Sequence, residues 1–135
     1  MQKIASIICS LTFFLNALLH LFLTAGFPLG KFVFGGEYDI FPPKLRFMSA
    51  FLCLLWSLYS ATYLIYGKII QVKTNKRILN FKLNVMTIFL FLASIFNIFI
   101  TTSFFEKYFT GTLSSITFVL SAFLLLYKHK DGHEC

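Results

Sequence analysis

The chain has 135 residues, of which 58% are hydrophobic, 19% aromatic and only 13% charged, and it carries a net charge of +7. A water-soluble domain with that balance would leave a large apolar surface in water, so a soluble globular fold is excluded. Four apolar runs, at residues 4–25, 46–66, 83–103 and 110–127, each approach the ~20 residues that a helix needs to cross a hydrocarbon core. No residues remain for a second domain, and no internal repeat relates the two halves.

The first run, residues 4–25, follows Lys3 and ends near Thr24-Ala25-Gly26, a layout shared with secretory signal peptides. It is longer than a signal core and carries Asn16 and His20, so it reads as a span. Asn16, His20 and Thr24 recur at intervals of four and fall on one helical stripe.

The connection that follows, residues 26–45, is long for a hairpin and rich in Gly, Pro and aromatics. Pro28, Pro42 and Pro43 stiffen it, while Gly30, Gly35 and Gly36 allow tight turns. A solvated loop would be polar, yet this one has Phe27, Phe32, Val33, Phe34, Tyr38, Ile40 and Phe41. It is expected to pack on the end of the bundle or to lie partly embedded in the interface. Pro43 suits the first turn of span two, where its missing N–H costs nothing.

Span two opens with Arg46 and Ser49. The next connection, residues 67–82, holds Lys68, Lys73, Lys76, Arg77 and Lys82 and no acid. Span three places Ser94, Asn97 and Thr101 on one stripe, and span four begins near Ser114 and Ser115. With Lys3, Lys128 and Lys130, the face holding both termini carries eight basic residues, against Lys31, Lys44, Arg46 and Lys107 on the other. The excess of Lys and Arg on cytoplasmic loops then puts both termini inside. The charge is mainly an inner-leaflet feature facing anionic lipid, and the basic loop is too short to form a nucleic-acid groove.

His20, Gly26-x-Pro28-x-Gly30, Gly35-Gly36, Pro43-x-x-Arg46 and Ser49 form an ordered pattern across the first half of the chain. It resembles a group of small bacterial four-span membrane proteins with a first-span His, a Gly-Pro-Gly loop, a Gly-Gly pair and Pro-x-x-Arg opening the second span. The resemblance implies the fold, the location of a site and a bacterial inner membrane, and it supplies no activity.

Polar residues within spans are costly in lipid and are the place to look for function. At a rise of ~1.5 Å per residue, His20 and Asn97 both fall some ~9 Å beneath the outer surface. With Arg46 entering from that face, Asn16, His20, Arg46 and Asn97 are the candidate ligand-binding residues. In the competing reading the same groups are only interhelical glue, each contact stabilising by about 1 kcal/mol.

Absences narrow the function. The acids Glu37, Asp39, Glu106, Asp131 and Glu134 all read as loop or tail residues, leaving no intramembrane carboxylate for cation export and no carboxylate pair for acid–base work. No hydrolase, zinc-protease or phosphate-loop motif occurs. Cys9, Cys53 and Cys135 form no C-x-x-C, which argues against a thiol oxidoreductase, and Cys9 and Cys53 read as packing residues. In the tail, His129, Asp131, His133 and Cys135 have metal-ligand chemistry, but Gly132 interrupts the helix that would align them, so the segment reads as a solvated end. No metal site and no particular cofactor is indicated.

The expectation is an all-α, integral membrane four-helix bundle that binds or transports a lipid-like or small anionic ligand without catalysis. The alternative is an oligomeric pore or accessory subunit whose polar stripes face other protomers. An enzyme acting on a lipid, with His20 as base, is a weaker third.

Overall fold

A computed structural model describes the backbone of residues 1–131 and the side chains through residue 127. The tail's candidate ligands His129, Asp131, His133 and Cys135 have side chains outside the described residues. Four long helices account for most of the rest: α1 (Gln2–Ala25), α2 (Pro43–Tyr66), α3 (Lys76–Ile95, continued by a π turn over Phe96–Ile100) and α4 (Gly111–Asp131, preceded by a π turn over Glu106–Thr110). Each is long and apolar enough to cross a membrane. The chain is therefore an all-α integral membrane protein, and no strand occurs among the described residues.

The helix ends follow local chemistry. Pro43 is the first residue of α2, where the missing N–H and fixed φ fit a helix start. Asn75 caps α3, its side chain accepting from the Arg77 N–H at 2.9 Å. The third helix consequently begins at Lys76, well before the apolar run at residue 83. Hydropathy marks only the lipid-immersed part of a helix, and the basic first turns continue the same helix into the interface.

The fourth helix differs in the same direction. Glu106 opens its π turn, so one of the acids expected in a loop stands in the first turn of a membrane helix.

Packing is inverted relative to a soluble protein. Outward-facing positions on α2 are Phe47, Phe51, Leu54 and Leu58, while the interior collects Ser6, Ser10, Ser49, Thr117 and Ser121 around Phe13, Tyr63, Leu83 and Leu124. Lipid is as apolar as leucine, so helices associate through small residues and hydrogen bonds rather than by hiding bulk. Pairing is most extensive between α1 and α2 and then between α3 and α4; α1 also packs on α4, and α2 barely meets α3.

Interhelical hydroxyl pairs stitch these faces. Ser10 bonds Ser60 at 2.8 Å, and Thr117 donates to Thr12 at 3.2 Å. Ser121 meets both Tyr63 and Thr87 at 2.6 Å, joining α2, α3 and α4 at one point. Cys9 is buried beside the Thr117 carbonyl, and both Cys9 and Cys53 are free thiols.

Candidate functional site at the first-loop end of the bundle

The C-terminus of α1 sets the geometry. Gly26 takes a left-handed conformation (φ 91°), its N–H donating to the Leu23 carbonyl and the Phe27 N–H to Phe22, which closes the helix. Glycine suits the position for a second reason: a Cβ would lie 3.0 Å from both terminal nitrogens of Arg46, which would have to shift. The guanidinium thus rests against the last turn of α1, where the negative end of the helix dipole favours a cation.

Arg46 is fixed by its own neighbourhood. Its Nε–H donates to the Phe41 carbonyl at 2.9 Å. Thr24 links the two helices, its hydroxyl donating to the His20 carbonyl at 2.8 Å and approaching the Arg46 carbonyl at 3.5 Å. Among the described residues no carboxylate pairs with Arg46, and neither Nη group has a hydrogen-bond acceptor.

Ser49 follows Arg46 by three positions and shares its face of α2. Its hydroxyl lies 3.3 Å from His20 Nδ1, and His20 is only 5% exposed. Nε2 of the same ring makes no hydrogen bond among the described residues. Phe34 sits 6.2 Å from the imidazole, centroid to centroid, and stacks on the buried Phe41 at 5.7 Å. Arg46 and Thr24 thus form one layer, His20 and Ser49 the layer beneath, and loop aromatics flank them.

The loop holds its shape through close backbone approaches. The Gly30 N–H donates to the Asp39 carbonyl at 2.9 Å, and a Cβ on Gly30 would come within 2.2 Å of the Tyr38 carbonyl oxygen. Phe34, Gly35 and Gly36 all have positive φ, at 53°, 78° and 76°. A bulky residue in that region is strained, and the surroundings must hold it there.

Glu106 supplies that restraint. Its Oε2 accepts the Gly35 N–H at 3.0 Å and the Thr101 hydroxyl, and the residue is 6% exposed. Ring contact between Phe32 and Phe105 at 4.7 Å runs beside this latch. Sequence reading passed over Glu106 as a loop acid, though a signal was present: Ser103-x-x-Glu106 has capping-box spacing, and Ser103 Oγ does accept the Glu106 N–H at 3.5 Å. The glutamate then reaches the loop instead of back to its cap.

The four expected site residues divide. His20 and Arg46 come together through Thr24 and Ser49, and the hydrogen-bond partner of His20 is Ser49. Asn16 lies a turn deeper, its amide donating to the Thr12 carbonyl of its own helix at 3.0 Å. Asn97 belongs to the π turn of α3, beside Gly111 of α4, and its side chain has no hydrogen bond among the described residues. No hydrogen bond joins either asparagine to His20 or Arg46 among the described residues.

No family model matches this chain, and comparison with curated proteins and with solved structures found no match.

Proposed function

We propose that the protein is a non-enzymatic membrane module that binds or transports a lipid-like or small anionic ligand at the first-loop end of the bundle. In this reading it sits in a bacterial inner membrane with both termini in the cytoplasm, so the site faces the outer leaflet. The supporting observation is the Arg46 guanidinium, anchored through Nε while both Nη groups lack a protein acceptor. A planar fork held in this way suits bidentate contact with a carboxylate or phosphate. His20, anchored through Nδ1, offers Nε2 to a second polar group of the ligand, and Phe34 and Phe41 flank its apolar part. Asn16 and Asn97 engage only a ligand that extends deeper or across to the second hairpin.

Native mass spectrometry of protein released from nanodiscs tests this reading. The expected result is a monomer or dimer carrying a defined extra mass, lost in Arg46→Gln and reduced in His20→Ala with assembly intact. Retention of the same mass by Arg46→Gln overturns the site. A larger ring without retained mass supports the pore instead.

A further inference from the structure

The opposite end of the bundle carries a second polar feature that the first-loop site does not use. Between residues 67 and 82 the chain has five basic residues and no acid. Within this connection a cleft of about 380 Å³ is lined by Ile65, Lys68, Ile70, Gln71, Val72 and Lys73. It is therefore lined by three aliphatic residues, two lysines and one glutamine.

The backbone puts Lys68 there at a conformational cost. Gly67 ends α2, and a Cβ at that position would lie 2.6 Å from the Ser6 Cβ, so glycine is what lets α1 close on the end of α2. The left-handed cap then falls on the next residue, Lys68, with φ 55°. Its N–H donates to the Ile65 carbonyl at 3.0 Å and the Ile69 N–H to Leu64 at 2.9 Å, the bonding pattern in which glycine is the usual residue. Lysine is disfavoured in this conformation, and strain of this kind clusters at functional sites and ligand clamps. Ile69, Ile70 and Val72 are meanwhile exposed beside the charges, an arrangement suited to a membrane interface rather than to open water.

We infer that this cleft binds the headgroup of an anionic phospholipid. Lys68 and Lys73 take the phosphodiester as paired point charges, and the Gln71 amide takes a headgroup or ester oxygen. Ile65, Ile70 and Val72 bear on the start of an acyl chain. Charge complementarity selects the occupant, since no acid in the connection competes for the two lysines. The site is independent of the ligand proposed at the other end.

The test is the full-length protein in nanodiscs of equal anionic and zwitterionic phospholipid, with retained lipid counted by native mass spectrometry. Wild type is expected to keep anionic lipid selectively. In Lys68→Gln/Lys73→Gln that preference should fall about five-fold per lysine, hence about twenty-five-fold in all. Lys76→Gln/Arg77→Gln removes equal charge outside the cleft and should keep the preference. Equal losses in the two double variants mean diffuse attraction and overturn the site, as does full retention in the first. Displacement of the lipid by inorganic phosphate at comparable concentration assigns the lysines to a free anion and overturns the lipid.

Discussion

Ser121 shows how a single hydroxyl organises a membrane interior. It is fully buried and meets Tyr63 and Thr87, each at 2.6 Å. Thr87 has a second acceptor in the Leu83 carbonyl, whereas the equally buried Tyr63 hydroxyl has no other partner among the described residues. Ser121→Ala should therefore cost about 1–3 kcal/mol by stranding the phenol. Tyr63→Phe leaves Ser121 paired with Thr87 and should cost less than about 1 kcal/mol. Adding Tyr63→Phe to Ser121→Ala should recover much of the loss, and reversible unfolding in micelles measures all three. Strict additivity would show that the three hydroxyls do not act as a unit. Nothing in the sequence singled out these residues. A serine or threonine on a helix can bond its own backbone, as Thr62 and Thr112 do here, and spacing does not reveal which one turns toward a neighbour.

The elements show a similar division. All four helices are legible as apolar runs because lipid demands a continuous hydrophobic length. The start of α3 at Lys76 is not, because a helix need not end where the hydrocarbon does. The first loop's aromatic content is visible in the sequence, and so are its glycines. Its attachment to Glu106 is not, since that bond joins positions 71 residues apart. Of the candidate site, His20 and Arg46 could be read from span polarity and the Pro-x-x-Arg opening, whereas Ser49 as the histidine's partner required the register between α1 and α2. The latch makes a direct prediction. Glu106→Ala removes a charge-assisted acceptor worth about 1.5–3 kcal/mol, so loop opening should rise about tenfold or more. The rate of chymotrypsin cleavage within residues 26–45 reads that opening. Glu106→Gln keeps an acceptor oxygen and should stay within a few-fold of wild type. If Glu106→Ala is cleaved no faster, the glutamate does not hold the loop.

At the scale of the whole molecule, the proposed orientation puts the basic connection on the cytoplasmic side, as the excess of Lys and Arg there would favour. Single cysteines placed in a background where Cys9, Cys53 and Cys135 are alanine give the check. Glu37→Cys should react with a membrane-impermeant maleimide on intact cells, and Gln71→Cys should react only after lysis. The reverse pattern would invert the topology and place Arg46 and His20 on the cytoplasmic side.

The sparse contact between α2 and α3 has a consequence in time as well as in space. The first hairpin can enter the bilayer and pair its helices before the second is synthesised, because α1 and α2 mainly need each other. Its loop cannot finish with it. Gly35 waits for Glu106, and Phe32 for Phe105, both supplied by the second hairpin, which is synthesised later. Closure of the first loop is thus a late event in biogenesis, and a closed loop marks a chain whose two halves have found each other.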